Sequence, residues 1–215
     1  MRDVVVIFFS SMVIAYSGAL MPGPMLAVVV AETPRQGARA GPLVVLGHSI
    51  LELVLLAALI VGLGPLLERE GVRATLSLVG GAMLAVTGGA MVAAVARDTV
   101  RLEWSAEGAA TGRTRTVLGG IVSSLANPYW TIWWATIGLG LLTKAYALGL
   151  AGLVAFYVGH ILGDLTWYSA VSGAIAAGRR WISDKGYRVM ISVAAAFLLV
   201  LAAWFVVSGL RTLLG

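Results

Sequence analysis

Two short segments of the chain, GHSILEL at 47–53 and GHILGDL at 159–165, each place a histidine four residues before an acid. The pairs are His48 with Glu52 and His160 with Asp164. Residues four apart project from the same face of a helix, so each histidine can hydrogen-bond its own acid. A histidine beside a carboxylate can hold or pass a proton, and two such pairs can also ligate a divalent metal ion. The spacing lacks the second histidine of a His-Glu-x-x-His peptidase helix, so we do not expect an enzyme.

The rest of the chain is apolar enough to lie in a membrane. Of its 215 residues 60% are hydrophobic and only 12% are charged, and the mean hydropathy is +0.95. A soluble protein of this size needs more polar surface than that. Apolar windows of about 20 residues, the length that crosses a hydrocarbon core, occur six times. They cover residues 4–31, 40–63, 74–96, 117–142, 147–171 and 188–210, and leave room for one transmembrane domain over 1–215.

The six windows divide into two similar halves, about 1–96 and 117–215, joined by a polar connection at 97–116. Each half carries the Gly-His-x-x-x-acid-Leu motif in its second window, after a first window that proline interrupts. Since each half has an odd number of windows, the two copies must cross the membrane in opposite directions. This inverted repeat is typical of secondary transporters. We predict an all-α integral membrane protein with six transmembrane helices as a 3+3 inverted repeat and Pro-broken first and fourth helices.

The first interruption is MPGPM at 21–25. Pro22 and Pro24, on either side of Gly23, remove backbone donors and oppose a continuous helix. Unwinding here would free carbonyl oxygens for an ammonium group and expose a helix N-terminus to a carboxylate, and an amino acid has both. The alternative is a simple kink relieved by neighbouring groups. In the second half, Asn127 before Pro128 offers a side-chain amide to the backbone or to a substrate.

The acids and the interruptions fall at a similar depth. A charged side chain at mid-membrane costs about 2.5–3.5 kcal/mol on the insertion scale, so we expect Glu52 and Asp164 to face a cavity or each other rather than lipid. Three interpretations stay open: a proton or cation relay, a metal site made of both histidines and both acids, and two buried pairs that only hold helices together. Trp130 is a candidate aromatic wall, whereas Trp133 and Trp134 are expected to pack or to anchor the protein at the interface.

Composition and charge restrict the remaining possibilities. The chain has no cysteine, which excludes disulfides and thiolate metal sites. Its net charge of +5 is explained by membrane sidedness rather than by nucleic-acid binding. Ten basic residues follow the first, third and fifth windows and five lie on the other side, which predicts N- and C-termini outside the cytoplasm. The ten are Arg35, Arg39, Arg97, Arg101, Arg113, Arg115, Arg179, Arg180, Lys185 and Arg188.

Two longer segments resemble a known family. SGALMPGPMLAVVVAETPRQGARAG at 17–41 resembles the first span and basic loop of the lysine exporter (LysE/RhtB-type) translocator superfamily, and SSLANPYWTIWWATIGLG at 123–140 resembles its Asn-Pro span. The resemblance covers essentially the full chain and implies a six-span inner-membrane exporter of amino acids or related solutes, driven by a proton or ion gradient. The family motif residues it matches are Pro22, Gly23, Pro24, Asn127 and Pro128. His48 and His160, each followed by an acid, depart from the commonest pattern of the amino-acid exporters. This departure makes a cation, as in the superfamily's cation exporters, an alternative substrate.

The first functional hypothesis is therefore a secondary exporter of amino acids or similar zwitterions, coupled to protons through the two His-acid pairs. The alternatives are a divalent-metal exporter that uses His48, Glu52, His160 and Asp164 as ligands, and a non-transporting membrane enzyme or scaffold. We expect no cofactor, and the partners are a small-molecule substrate and the lipid bilayer. A homo-oligomer is compatible with the sequence.

Overall fold

The computed structural model describes residues 1–21, 23–63, 69–99 and 110–214. Within these residues all regular structure is helical. The α-helices are α1 (Arg2–Ala19), α2 (Pro24–Gln36), α3 (Ala40–Ala58), α4 (Glu70–Ala96), α5 (Ala110–Leu125), α6 (Pro128–Trp133), α7 (Leu139–Tyr146), α8 (Gly149–Ala177) and α9 (Asp184–Leu214). A π-helical turn, Leu59–Leu63, continues α3, and another, Trp134–Gly138, joins α6 to α7.

Five helical segments of the described chain are long and apolar enough to cross a membrane. They are Arg2–Ala19, Pro24–Gly62, Glu70–Ala96, Gly149–Ala177 and Asp184–Leu213. Their outer faces carry exposed large apolar side chains, such as Phe9 of α1 and Val193 and Val200 of α9. Such surfaces require lipid rather than water around them. The chain is a multi-pass membrane protein.

The six-span 3+3 arrangement stays a prediction. The window at 117–142 is not among the five segments, because the chain there forms the shorter helices α5, α6 and α7. Helix α5 also begins at Ala110, although the sequence placed 110–116 in the polar connection. Thr116 is fully buried in that first part of α5 and donates a hydrogen bond to Glu32 of α2. Hydropathy does not predict such turns, because they are helical without being apolar. The rest of the predicted polar connection, residues 100–109, lies outside the described residues.

Two interruptions separate helices that follow each other closely. Helix α1 ends at Ala19, Gly23 is extended (φ −147°, ψ −173°), and α2 begins at Pro24. Pro22 lies outside the described residues. Helix α5 ends at Leu125, Asn127 is extended (φ −96°, ψ 100°), and α6 begins at Pro128. Each of these two prolines occupies a first helical position, where its missing N–H costs no hydrogen bond.

Glycines let the helices that carry the His-acid motifs approach their neighbours. A side chain at Gly47 of α3 would overlap the backbone of α5 at Val117, and a side chain at Gly159 of α8 would overlap the backbone of α1 at Phe8. Gly41 brings α3 equally close to α8 at Tyr168. The glycine that precedes each histidine therefore sets a helix–helix contact, and the next turn of the same helix projects its polar side chains into the protein.

Helices α4 and α9 pack mainly against each other, with Gly81 and Gly88 of α4 facing α9. Helix α2 contacts α9 on one side and α5 and α8 on the other. The polar motifs lie on α3 and α8, which contact each other directly. The described helices thus place the candidate site in the body formed by α1, α3, α5 and α8, away from the α4–α9 pair.

Candidate functional site

His48, Glu52, His160 and Asp164 form one cluster, which we call the His-acid cluster. His48 Nε2 lies 3.1 Å from Glu52 Oε1 and 3.3 Å from Asp164 Oδ2. His160 Nε2 lies 3.2 Å from Glu52 Oε2 and 3.6 Å from Asp164 Oδ2. Each histidine therefore contacts the acid of its own helix and the acid of the other motif. The sequence predicted the pairs within each helix, and the structure joins them into a closed ring.

All four side chains of the cluster are buried. Glu52 is 0% exposed, His48 and His160 are 4% exposed, and Asp164 is 5% exposed. Glu52 Oε2 and Asp164 Oδ2 face only the histidine Nε2 atoms, and His160 Nδ1 has no hydrogen-bond partner among the described residues. Buried polar atoms of native proteins are rarely left without a partner. The arrangement can therefore accept protons or a cation at its centre.

Two tryptophans also hold Glu52. Trp130 Nε1 and Trp134 Nε1 both donate to Glu52 Oε1, at 3.0 and 2.9 Å. Trp130, the predicted aromatic wall, lines a cavity beside the cluster. Trp134 was expected to pack or to anchor the protein at the interface, and it is buried in the core while it also bonds the site. Trp130 lies in α6, and Trp134 begins the π-helical turn that directly continues α6. The two indoles are therefore one helical turn apart and reach the same carboxylate oxygen.

Ser124 of α5 fixes the orientation of His48. The serine hydroxyl donates to the backbone carbonyl of Gly120 at 2.8 Å and lies 2.7 Å from His48 Nδ1. The Ser124 hydroxyl can accept from Nδ1–H of His48 while it donates to Gly120, or donate to Nδ1 in the other tautomer. In either tautomer Nε2 of His48 faces the two carboxylates. The close approach of α5 and α3 at Gly120 and Gly47 makes this bond possible.

His160 lies among aromatic rings instead of a polar support. Its ring centroid is 4.7 Å from that of Trp133, and Phe156, one helical turn earlier, is stacked at 6.3 Å. Trp133 is itself held by a bond from its Nε1 to Ser17 Oγ at 3.1 Å. Nδ1 of His160 has no bond within the described chain. The two histidines of the cluster are thus chemically alike but differently supported.

A cavity with about 460 Å³ of empty space, partly continuous with the outside, adjoins the His-acid cluster. Its walls include Gly23, Asn127, Tyr129 and Trp130 as well as all four cluster residues. Asn127 Oδ1 accepts a bond from the Tyr129 N–H at 3.1 Å, which leaves its amide NH₂ available. A methyl group at Gly23 would lie 3.7 Å from Asn127 Nδ2, so the two interruptions meet at this cavity.

A larger cavity, with about 1190 Å³ of empty space, lies between α2, α4, α5 and α9. Its lining is mainly apolar and contains no histidine or acid. The buried histidines and acids therefore belong to the smaller cavity, whereas Arg35 lines the larger one.

The structure brings most of the predicted site residues together. Gly23, Asn127 and Trp130 line the cavity next to the His-acid cluster, while Pro24 and Pro128 begin the helices that follow the two interruptions. Sequence reasoning missed Ser124 and the polar role of Trp134. The spacing of Trp130 and Trp134, four residues apart on one helical face, was the available signal for Trp134; a buried serine bonded to a histidine on another helix leaves no such pattern.

Buried ionisable residues beside interrupted helices in a multi-pass membrane protein are the features of a membrane transporter. The LysE type translocator family model matches residues 16–209. The chain therefore belongs to the LysE type translocator family, as its two resembling segments indicated, and is a membrane transporter of small solutes. Neither a comparison with curated proteins nor one with solved structures gave a match.

Proposed function

We propose that this protein exports amino acids or similar small zwitterions and couples their movement to the proton gradient. The observation that carries the proposal is that the two helix interruptions and the buried His-acid cluster border one cavity. A solute held at the interruptions would contact groups that can exchange protons. Binding and coupling would then take place within a few ångströms of each other.

The solute would be held by backbone and amide groups. The N-terminus of α2, at Gly23 and Pro24, presents the positive end of a helix dipole to a carboxylate. The NH₂ group of Asn127 adds a second donor close by. Carbonyl oxygens at the end of α1 and the face of Trp130 suit an ammonium group. This set fits a zwitterion better than an anion or an apolar solute.

Proton coupling would use Glu52 and Asp164. A relay requires each acid to change its charge, whereas a packing pair requires only hydrogen bonds. We expect Glu52→Gln and Asp164→Asn to leave the protein folded and inserted but to abolish amino-acid transport driven by a pH gradient in liposomes. Counterflow exchange at equal pH should continue. Glu32→Gln is the matched control, because Glu32 is buried and bonded to Thr116 but does not line the cavity.

If both cluster variants move the solute uphill as well as the parent does, the relay is wrong and the pairs are structural. The same liposomes should be loaded with amino acids, with dipeptides and with divalent cations. Flux of a divalent cation without flux of any amino acid would refute the zwitterion substrate. Absence of all flux from a folded, inserted protein would refute transport by the isolated chain.

The proposed membrane arrangement has six spans in two inverted halves within the cytoplasmic membrane, with both termini outside the cytoplasm. In it, α1 with α2 forms one interrupted span and α5 with α6 and α7 forms the other. The ten-to-five distribution of basic residues supports the orientation. Because the chain has no cysteine, a single Ser105→Cys substitution tests it without background. If an impermeant thiol reagent labels this cysteine in intact cells, the 97–116 connection lies outside the cytoplasm and the proposed orientation is wrong.

A further inference from the structure

We propose that the His-acid cluster binds one divalent transition-metal ion of the zinc type, and that Ser124 positions one of its ligands. The inference shares its site with the proposed function, because the cluster borders the same cavity, but it does not require that the protein transport amino acids. Binding of the ion can be measured without any transport. One ligand atom from each of the four residues can be chosen so that all lie within 4.8 Å of one another.

The separations within the cluster leave room for a tetrahedral ion at its centre. Nitrogen and oxygen ligands lie about 2.0–2.1 Å from zinc, so two ligands of a tetrahedral site are about 3.3 Å apart. The four histidine–carboxylate separations are 3.1, 3.3, 3.2 and 3.6 Å. A hydrogen bond from an imidazolium to a carboxylate is shorter, about 2.7–2.9 Å. The Glu52 contacts, at 3.1 Å to Oε1 and 3.2 Å to Oε2, still fall within the ordinary N–H···O range of about 2.7–3.2 Å, whereas the Asp164 contacts at 3.3 and 3.6 Å lie beyond it. Because the two histidines face different oxygens of Glu52, a tetrahedral ion would need small shifts of these side chains toward one centre.

The atoms that lack partners are the ones such an ion would use. Glu52 Oε1 already accepts bonds from two indoles, whereas Glu52 Oε2 and Asp164 Oδ2 have no partner in the described chain other than the histidine Nε2 atoms. Both oxygens belong to fully or almost fully buried side chains and lie within 3.6 Å of a histidine Nε2. An ion at the centre would satisfy both of them together.

The bond between Ser124 and His48 has the form of an outer contact of a metal site. A ligating histidine almost always donates its second ring N–H to a neighbouring acceptor, which fixes the ring and its tautomer. Here the Ser124 hydroxyl lies 2.7 Å from Nδ1 of His48 and can accept its N–H, since the Gly120 carbonyl is within reach of the serine proton. A bound ion would select this tautomer. In it the lone pair of the neutral ring is on Nε2, the atom that faces the carboxylates.

The ligand set selects the class of ion. Two imidazoles with two carboxylates suit zinc, cobalt and similar borderline ions, whereas calcium and magnesium prefer oxygen ligands alone. The chain has no cysteine, so the site does not favour the softest ions. The ion requires imidazoles and carboxylates that are free of protons. Metal and coupling protons therefore exclude each other at this cluster.

Cobalt is the probe of choice, since tetrahedral Co²⁺ absorbs visible light far more strongly than octahedral Co²⁺. The full chain is purified in detergent with an affinity tag that contains no histidine, treated with chelator and titrated with CoCl₂. We expect one Co²⁺ per chain with a tetrahedral spectrum that ZnCl₂ abolishes by displacement. A weak octahedral spectrum, or no uptake of Co²⁺, would overturn the proposal.

Variants separate the cluster from adventitious binding. Asp164→Asn and His160→Ala should each abolish the tetrahedral spectrum, and Ser124→Ala should weaken Co²⁺ binding by about 10–100-fold, as for other outer contacts of metal sites. Glu32→Gln, a buried acid outside the cluster, should bind as the parent does. Circular dichroism and size-exclusion elution show which variants are folded. An unchanged spectrum in folded Asp164→Asn would overturn the proposal, and so would unchanged affinity in Ser124→Ala.

The outcome is independent of the transport result. Tetrahedral Co²⁺ binding without amino-acid flux would sustain the metal site and refute the proposed substrate. Amino-acid flux without Co²⁺ binding would support the proposed substrate and refute the metal site. If both are observed, Zn²⁺ should inhibit proton-driven flux in the parent, and uninhibited flux at saturating Zn²⁺ would show that the ion is bound elsewhere.

Discussion

Comparison of Glu52→Ala with Glu52→Gln separates the role of Glu52 as a hydrogen-bond acceptor from the role of its negative charge. Glutamine retains a carbonyl oxygen that can accept from Trp130 and Trp134, whereas alanine removes the acceptor of both indoles. A buried donor left without a partner costs about 1–3 kcal/mol. Trp134 is buried, whereas Trp130 is only partly buried beside the cavity, so Trp134 predicts that Glu52→Ala is about 1–3 kcal/mol less stable than Glu52→Gln.

This difference is a measurable part of the total stability of a protein, which is about 5–15 kcal/mol. We would measure reversible unfolding of both variants in mixed micelles with increasing denaturing detergent. Leu53→Ala is the control on the same helix, since Leu53 is exposed at the outer surface and its truncation should change stability little. Equal stability of the alanine and glutamine variants would refute the inference that Glu52 holds the indoles.

Three further changes test the packing around the site. Gly47→Ala should destabilise the protein by about 1–3 kcal/mol because its new methyl group meets the backbone of α5. The control is Gly89→Ala, whose methyl group meets no atom within 4 Å and should not lower the stability. Equal stability of the two variants would contradict the close contact between α3 and α5. Thr116→Val should cost about 1–3 kcal/mol in the same unfolding assay by leaving Glu32 without its bond. Tyr157→Phe removes a 2.8 Å bond to a backbone carbonyl of α3 and should cost about 1 kcal/mol; no change would show that water replaces it.

Much of the membrane character and of the site could be predicted from residue patterns. Apolar windows and the rarity of charge indicated a multi-pass helical protein, and the depth of Glu52 and Asp164 indicated that they avoid lipid. The repeated Gly-His-x-x-x-acid motif identified all four members of the cluster. Periodicity could place each histidine beside the acid of its own helix, because that contact is local in the chain.

The contacts between the motifs could not be predicted in the same way. That His48 reaches Asp164, and His160 reaches Glu52, depends on how α3 crosses α8, which no local spacing specifies. Ser124 and Trp134 were missed for a related reason, since their bonds to the cluster come from other helices. The start of α5 was misplaced because residues 110–116 continue a helix in polar sequence, where hydropathy carries no signal.

The closed ring of the cluster has a symmetry of its own. Exchange of His48 with His160 and of Glu52 with Asp164 maps its four contacts onto one another. If the two halves are inverted in the membrane as proposed, such a pseudo-twofold centre would offer the same groups to both faces of the membrane. Its supports are not symmetric, because Ser124 and two indoles hold the pair on α3, while His160 Nδ1 and Asp164 Oδ2 have no such bond within the described residues. The α3 pair is therefore held by hydrogen bonds from neighbouring helices, whereas His160 of the α8 pair is held by packing against aromatic rings.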